Sequence, residues 1–474
     1  MHVVFMNPQG NFDPQDSYLT EHPDFGGQLV YVKELAQAMS RRGHKIDIVT
    51  RKVQDKSWPE FSSDQDSYPG FEENLRILRF SFGGKKFLKK EELWPHIPDL
   101  VDKMLQFYGE NQPDFITSHY ADGGYAAKLA LELAGIPFSF TGHSLGAQKL
   151  DKLVLANNSW SNLNEQFKFS KRIAAERNSV KYAAKVFVST EQERVDQYSH
   201  PLYQKAVDTV DGQKFEVIPP GVNETIFNQR LSSKDTRQAS KLDAIPGLNE
   251  KPAILVSSRL DKKKNIEGLV KAYSESRALR NAASLVLCVR GIDDPKLDIF
   301  SLEKEEKEVL GNIIDTIDSN NMASQVYFLN ISSQLELAAT YRYFARLGSV
   351  FALTSVYEPF GLAPIEAAAT GLVPIVTKNG GPADIFSNGS GILIDPLCSK
   401  SIANGLMEGL DKHTELSSAV VKHVNNKFSW NKTAESYITA IDKIVSTHIK
   451  SASTQESVLD CEEEIETYLT RRFA

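Results

Sequence analysis

The feature that most restricts the fold of this chain is an alternation of short apolar segments with longer segments of helical periodicity. It runs through most of the 474 residues. Such an alternation is typical of parallel sheets whose two faces are covered by helices. The predicted strands are residues 2–7, 45–50, 75–80, 115–118, 138–141, 186–189, 215–218, 253–256, 285–290, 326–329, 350–353, 374–377 and 392–394. We therefore predict an α/β protein.

Length and one polar segment predict more than one domain. A chain of 474 residues is too long for one hydrophobic core. The segment between Arg230 and Lys251 turns polar between the two series of strands. We predict an N-terminal domain (1–228), a linker (229–251), a C-terminal domain (252–427) and terminal helices (428–474) that pack back on the first domain. Each domain is expected to be a doubly wound, Rossmann-like parallel sheet, with ligands in a cleft at the carboxyl ends of the strands.

Charge and cysteine usage exclude several classes of function. The formal net charge is −7, which favours neither nucleic acid nor an anionic membrane as partner. The three cysteines, Cys288, Cys398 and Cys461, are too widely spaced for a zinc site or a disulfide framework. Neither a signal-peptide pattern nor an apolar run of about 20 residues is found. A cytoplasmic location is expected.

Two carboxylates flank a predicted turn in the second half of the chain. Glu358 and Glu366 lie on either side of Pro359 and Gly361, after a strand and before a helical run. The amides of Phe360, Gly361 and Leu362 would then lie at a helix N-terminus, which favours a phosphate group. Each carboxylate could contact a hydroxylated ring. The alternative is an ordinary strand–helix junction with solvated acids.

A basic loop follows the first strand of the second series. Arg259 and Lys264 lie five residues apart across a turn, and two cations at a strand end suit a diphosphate. A solvated basic loop is the alternative. No His-Glu-x-x-His motif, cysteine cluster or P-loop occurs, and Asp64 and Asp66 lie in a polar segment. We therefore expect the anion to be neutralised without a metal.

Polar residues of the first half also follow predicted strands. Gly27 opens a helix with free amide donors, and His143 follows a strand and is framed by glycines. Three cations, Lys90, Lys149 and Arg172, could hold an anion, but spacing does not show that they converge. Arg172 and Glu176 also fit a simple i,i+4 pair.

Taken together, these motifs resemble the retaining GT-B glycosyltransferases of family 4. The resemblance covers nearly the whole chain. Within that family the sequence is most similar to bacterial sucrose-phosphate synthases, through Asn7–Asp13, His22–Gln28, Thr141–Gly146 and Ser258–Asp261. Those enzymes transfer glucose from UDP-glucose to the 2-hydroxyl of fructose 6-phosphate. UDP-glucose would then be a co-substrate, with no prosthetic group and no metal required.

The resemblance implies roles for individual residues. The catalytic set would be His143, Arg259, Lys264 and Glu358. The donor would be bound by Gly27, Arg290, Ile331, Phe360, Gly361, Leu362 and Glu366. Fructose 6-phosphate would be bound by Gly26, Gln28, Lys90, Tyr120, Ser144, Lys149 and Arg172. A separate sucrose-phosphate phosphatase is a possible partner, and neither nucleic acid nor membrane is expected as one.

Other functions remain open at this point. Mannosylfructose-phosphate synthase would use GDP-mannose, and sucrose synthase would use unphosphorylated fructose, against which the three cations argue. A non-catalytic sugar-nucleotide-binding protein is a more distant alternative. If the chain acts as a sucrose-phosphate synthase, we expect a displacement on one face of the sugar. In that reaction the departing diphosphate, neutralised by Arg259 and Lys264, takes the acceptor proton.

Overall fold

The structure is a computed structural model that describes residues 1–17, 27–155, 159–447 and 462–473. Within these ranges, no helix is both long enough and apolar enough to cross a membrane.

Every predicted strand is present, with ends that differ from the prediction by at most two residues. The strands are β1 (His2–Met6), β2 (Lys45–Arg51), β3 (Gln65–Asp66), β4 (Leu75–Phe80), β5 (Phe115–His119), β6 (Phe138–Thr141), β7 (Lys185–Val188), β8 (Phe215–Val217), β9 (Ala253–Ser257), β10 (Ser284–Cys288), β11 (Val326–Leu329), β12 (Val350–Leu353), β13 (Val373–Thr377) and β14 (Ile392–Ile394). Prediction missed only β3, which is two residues long, polar and antiparallel to β4. Asp66 on β3 accepts a hydrogen bond from the buried Arg79.

Helices connect the strands. They are α1 (Gly27–Arg41), α2 (Ile97–Tyr108), α3 (Tyr120–Ala134), α4 (Gly146–Leu155), α5 (Trp160–Phe167), α6 (Phe169–Tyr182), α7 (Glu191–Tyr198), α8 (Ser233–Asp243), α9 (Ile266–Glu275), α10 (Arg277–Ala282), α11 (Pro295–Asp298), α12 (Lys304–Ser319), α13 (Gln334–Arg346), α14 (Leu362–Ala369), α15 (Gly381–Phe386), α16 (Ser399–Asp411), α17 (His413–Lys427), α18 (Trp430–Thr447) and α19 (Glu462–Phe473).

The chain forms two compact units, Met1–Pro219 with Trp430–Ala474, and Pro220–Ser429. The predicted linker, 229–251, is therefore not a linker in the structure. It contains α8, whose Leu242 is buried and whose Asp235 accepts a hydrogen bond from Arg342 on α13 at 2.6 Å. The segment reads as polar because one face of α8 is exposed, while the other packs inside the second unit.

In the first unit the strand order is β3-β4-β2-β1-β5-β6-β7-β8, and all pairs except β3–β4 are parallel. The order reverses between β1 and β5, and such a switch point is where open α/β sheets bind ligands. Helix α18 packs on α1, where the hydroxyls of Tyr31 and Tyr437 lie 2.7 Å apart. Helix α19 buries Ile465 and Leu469 against the first unit, so its acidic start is one face of an amphipathic helix.

In the second unit the sheet is entirely parallel, in the order β11-β10-β9-β12-β13-β14. Its inner strands β10, β9, β12 and β13 are buried on both faces, which explains why they read as continuous apolar runs. The order reverses between β9 and β12. The loops that follow these two strands, 258–265 and 354–361, therefore meet at the switch point of this sheet.

Candidate functional site

An ion pair joins the two loops at the switch point of the second unit. Nζ of Lys264, after β9, lies 2.6 Å from Oε2 of Glu358, after β12. Ser355 donates a second hydrogen bond to the same oxygen, at 3.2 Å. Both charged side chains are only partly exposed, so each holds the other in place. Lys264 and Glu358 were both predicted from sequence as site residues, but the ion pair between them was not.

A glycine fixes the backbone beside Glu358. Gly380 lies opposite Glu358 in a parallel bridge and has φ of 100°. A Cβ atom at Gly380 would overlap the carbonyl oxygen of Glu358, so only glycine fits there. The next amide, of Gly381, donates to that same carbonyl oxygen at 2.9 Å. The loop carrying Glu358 is thus held to the end of β13.

Helix α14 begins where the sequence predicted. Gly361 is its N-terminal cap, with φ of 94°, and Leu362 is its first residue. Phe360 is buried and packs on Phe428, at 6.3 Å between ring centres, which anchors the start of the helix. Glu366 lies one turn into the helix and is partly buried. The first amides of α14 are therefore available to an anion next to Glu358.

The other donor-side residues predicted from sequence follow neighbouring strands. Arg259 comes after β9, Arg290 after β10 and Ile331 after β11, and both arginines are exposed. The guanidinium of Arg259 bonds to none of the described residues. Sequence analysis missed Asn330, which accepts a hydrogen bond from the Gly291 amide at 2.8 Å and so joins two of these loops.

In the first unit, a pocket with about 420 Å³ of empty space lies at the switch point between β1 and β5. We call it the basic pocket. It is lined by Gln9, Lys90, Glu91, Trp94, Tyr120, Ala121, Asp122, Lys149, Phe167, Phe169 and Arg172. The structure thus brings together the three cations whose convergence spacing did not show. Gln9, Trp94 and Asp122 are lining residues that sequence reasoning missed.

Arg172 is held by a buried network. Its Nε donates to Glu176 at 2.9 Å and its Nη2 to the carbonyl oxygen of Ser144 at 2.7 Å. Glu176 also accepts from the Gly146 amide and from the Tyr203 hydroxyl. Burial opposes the charge of Arg172, yet the Glu176 carboxylate keeps the pKa of Arg172 above its usual value. Arg172 is therefore an i,i+4 partner of Glu176 and also a pocket residue, and its contact with an anion stays a prediction.

Two further residues predicted from sequence, Tyr120 and Ser144, extend this network. The Tyr120 hydroxyl lies 3.1 Å from Oγ of Ser144, and the guanidinium of Arg172 lies 5.2 Å from the centre of the Tyr120 ring. Lys149 lies over the Phe167 ring at 5.6 Å. These contacts orient the polar side chains toward the basic pocket from α3, α4 and α6.

His143 follows β6 and belongs to a histidine pair. Its Nε2 lies 3.0 Å from Nδ1 of His119, and the two ring planes are inclined by 26° with centres 5.2 Å apart. Burial lowers the pKa of His143 to about 3 and also lowers that of His119. Both rings are therefore neutral at physiological pH. Sequence analysis missed His119, although it ends the strand beside β6 and directly precedes Tyr120.

Asp122 is a buried carboxyl group on the wall of the basic pocket. Removal from water raises its pKa to about 6, although backbone hydrogen bonds partly oppose that effect. Its Oδ2 atom has no hydrogen-bond partner among the described residues. A carboxyl group in this state can accept or donate a hydrogen bond near neutral pH.

The remaining predicted residues lie near the start of α1. Gln28 donates from Nε2 to Oδ1 of Asn7 at 2.5 Å, and Gly27 is the exposed first residue of the helix. Gly26 lies outside the described residues. In the part of the chain that the structure describes, no three His, Cys, Asp or Glu residues are grouped to hold a metal ion.

Comparison with known families agrees with this two-unit geometry. The profile described as "Glycosyltransferase Family 4" matches residues 25–225, and "Glycosyl transferases group 1" matches residues 239–427. A probable sucrose-phosphate synthase of Thermosipho melanesiensis is 44% identical over 445 residues, which cover 94% of this chain and 97% of the relative. The chain spans about half the length of the plant sucrose-phosphate synthases that it also matches, 47–48% of each.

Solved structures show the same fold. A sucrose-phosphate synthase from Thermosynechococcus elongatus is similar with a TM-score of 0.69 and 21% identity, covering 94% of this chain and 100% of the other. The Anabaena protein HepE, in complex with UDP and glucose, has a TM-score of 0.62 and 16% identity, with coverage of 94% and 100%.

The fold is that of a GT-B glycosyltransferase. At 44% identity over nearly the full length of both sequences, the chain belongs to the sucrose-phosphate synthase family of these enzymes. The predictions of fold class, family and enzyme class are confirmed. The roles of individual residues stay predictions.

Proposed function

We propose that this chain transfers glucose from UDP-glucose to the 2-hydroxyl of fructose 6-phosphate, with retention of configuration, giving sucrose 6-phosphate and UDP. The observation that supports fructose 6-phosphate as the acceptor is that Lys90, Lys149 and Arg172 all line the basic pocket. A phosphate monoester needs such a cluster, whereas unphosphorylated fructose does not. The product would then be hydrolysed by a separate phosphatase, in the cytoplasm.

Charge compensation decides how the cations share the phosphate. Glu176 neutralises Arg172 within the fold, so Arg172 contributes directed hydrogen-bond donors rather than net positive charge. Lys90 and Lys149 are proposed to contact the same phosphate. Gln28, Tyr120 and Ser144 are proposed to bind the sugar hydroxyls, because they present neutral polar groups. Gly26 stays a proposed contact from the sequence resemblance alone.

The donor is proposed to lie at the start of α14. The amides of Phe360, Gly361 and Leu362, with that of Gly27, would bind the diphosphate together with Arg259 and Lys264. Glu366 would bind the ribose hydroxyls, and Glu358 the glucosyl ring. Arg290 and Ile331 would contact the base. The complex of the HepE protein with UDP and glucose supports a sugar nucleotide as the donor class.

The reaction breaks the bond from glucosyl C1 to the diphosphate oxygen and forms a bond from C1 to the fructose 2-oxygen on the same face. The proton of the 2-hydroxyl passes to the departing diphosphate, whose charge Lys264 and Arg259 neutralise. Neutral His143 is proposed to hold a glucosyl hydroxyl, because a neutral ring donates or accepts without adding charge beside the developing cation.

Product analysis tests this function. The purified chain is supplied with UDP-glucose, ADP-glucose or GDP-mannose, each with fructose 6-phosphate or fructose, and products are identified by mass spectrometry and NMR. We expect sucrose 6-phosphate from UDP-glucose with fructose 6-phosphate as the preferred pair. Mannosylfructose phosphate or free sucrose as the main product would contradict this proposal and indicate one of the two alternative enzymes. Binding of the substrates without turnover would exclude catalysis.

A matched pair of lysines tests the acceptor site. Lys90→Met removes a cation from the pocket, whereas Lys86→Met removes an exposed cation of the same segment. We expect KM for fructose 6-phosphate to rise at least about tenfold in the first variant and to change little in the second. Equal effects of the two changes would mean that the pocket does not bind the phosphate.

A further inference from the structure

A second, smaller pocket adjoins the basic pocket. It lies at the carboxyl ends of β1 and β2. Gln9 and Lys90 line both pockets, and Arg51, the last residue of β2, lines only the second. Its other walls include the apolar side chains of Phe87 and Leu93. We call it the Arg51 pocket.

Arg51 is almost completely buried and is held by main-chain carbonyl groups. Its exposed fraction is 3%. Nε donates to Phe82 at 2.8 Å, and Nη2 donates to Gly84 at 2.9 Å and to Gly83 at 3.3 Å. All three acceptors are neutral. They fix the orientation of the guanidinium and leave its positive charge in place.

The charge of Arg51 is not compensated as in other buried arginines of this chain. Arg79 pairs with Asp66, Arg172 with Glu176 and Arg342 with Asp235, all at 2.9 Å or less. No carboxylate of a described residue lies within 4.0 Å of Arg51. Burial accordingly lowers the pKa of Arg51 below its usual value. A buried charge is ordinarily paired, because removing it from water is costly.

The free part of the guanidinium belongs to Nη1. Neither of its two N–H groups bonds to a described residue, and Nη1 is not among the fully buried unpartnered atoms. The residues lining this pocket include a second cation, Lys90, and no aspartate or glutamate. Apolar walls reduce screening by water and strengthen the attraction for an anion. A single guanidinium nitrogen and a nearby ammonium group can each donate to a different oxygen of one phosphoryl group.

We propose that Arg51 and Lys90 form a second anion subsite, which binds one phosphoryl group while fructose 6-phosphate occupies the basic pocket. The proposal rests on the proposed function only for the identity of that first ligand. The phosphoryl group has two possible sources, free inorganic phosphate or the second phosphate of a sugar bisphosphate. Lys90, which lines both pockets, couples the two subsites.

Equilibrium dialysis of the full chain against ³²P-labelled inorganic phosphate tests the proposal, with and without saturating fructose 6-phosphate. For free phosphate as source, we expect the wild type to retain about one phosphate per chain when fructose 6-phosphate is present. Arg51→Met is expected to weaken this binding at least about tenfold, and Arg51→Lys less. Lys86→Met is the matched control and is expected to bind as the wild type does.

A second arm distinguishes the sources. Fructose 1,6-bisphosphate is compared with fructose 6-phosphate by calorimetry. If the second phosphate is attached to the sugar, the bisphosphate binds the wild type at least about tenfold more tightly, and Arg51→Met removes that advantage. Loss of labelled phosphate on adding fructose 6-phosphate, together with equal affinity for the two sugars, would overturn the proposal.

Folding of the variants is checked independently. Arg51→Met also removes three hydrogen bonds, so circular dichroism and KM for UDP-glucose accompany each measurement. Leu88→Glu places a carboxylate at the pocket wall while keeping the Arg51 side chain, and it is expected to abolish the second phosphate as well. Retained binding in a folded Arg51→Met or Leu88→Glu protein would refute the subsite. If fructose 6-phosphate is not the acceptor, phosphate binding that depends on Arg51 is still expected when fructose 6-phosphate is left out. Failure of the proposed function can therefore be distinguished from failure of the anion subsite.

Discussion

Nδ1 of His119 lies 3.0 Å from Nε2 of His143, and the two ring planes are inclined by only 26° inside the first unit. At that distance one nitrogen donates a proton to the other, and two protonated rings would repel each other. Phe5 stacks on the ring of His119 at 5.7 Å, and Tyr31 meets His143 edge-on at 5.0 Å. His119 therefore fixes the orientation of His143.

The first prediction concerns this pair. His119→Phe keeps a planar ring against Phe5 and removes the hydrogen bond to His143. We expect kcat to fall about tenfold, less than the 10²–10³ typical of removing a direct donor. KM for fructose 6-phosphate is expected to stay within about twofold. Steady-state kinetics check this, and His119→Asn, whose amide can still hydrogen-bond, is expected to recover part of kcat.

The second prediction concerns the Lys264–Glu358 ion pair. Lys264→Met and Glu358→Gln are each expected to lower kcat/KM by about 10²-fold or more. Because the side chains touch, the double variant is expected to lose less than the product of the single effects. Lys263→Met, at a neighbouring exposed lysine, is the control and is expected to retain near-normal kcat/KM. Strict additivity in the double-mutant cycle would show that the pair does not act as a unit.

The third prediction concerns the glycine opposite Glu358. Gly380→Ala forces both a strained φ and an overlap with the Glu358 carbonyl oxygen, and we expect a loss of at least about 2 kcal/mol in stability. Gly389→Ala shares the positive φ but meets no atom within 4 Å, so about 1 kcal/mol is expected. Thermal unfolding followed by circular dichroism compares them. Equal shifts in Tm would contradict the steric argument.

The fourth prediction concerns the pH dependence that Asp122 adds to stability. Its pKa is about 6 in the folded chain and near 3.8 in an ordinary exposed carboxyl, so the folded state binds the proton more tightly. The stabilisation that this group contributes is present below about pH 4 and is lost as pH rises to about 6. Relative to Asp122→Asn, the wild-type Tm is expected to fall across this window and to level off above it. A constant difference in Tm between pH 4 and 7 would contradict the burial argument.

Much of the site was predictable because strand ends are predictable. Arg259, Lys264, Glu358 and His143 each follow an apolar segment, and the carboxyl ends of parallel strands share one edge of a sheet. His119 was missed because its contact depends on β5 lying beside β6, a pairing that strand positions alone do not state. Arg51 was missed because its environment is made by the backbone of residues 82–84.

The sequence by itself determined the order of strands and helices, the start of α14 at Leu362 and the family. These follow from local patterns of apolar residues, glycines and prolines, which act over a few residues. Tertiary structure alone decided that Lys90, Lys149 and Arg172 line one pocket, that Glu176 neutralises one of them, and that the predicted linker is a packed helix. These depend on which strands pair and on the low dielectric of the interior, so the net charge of a pocket is known only when the chain has folded.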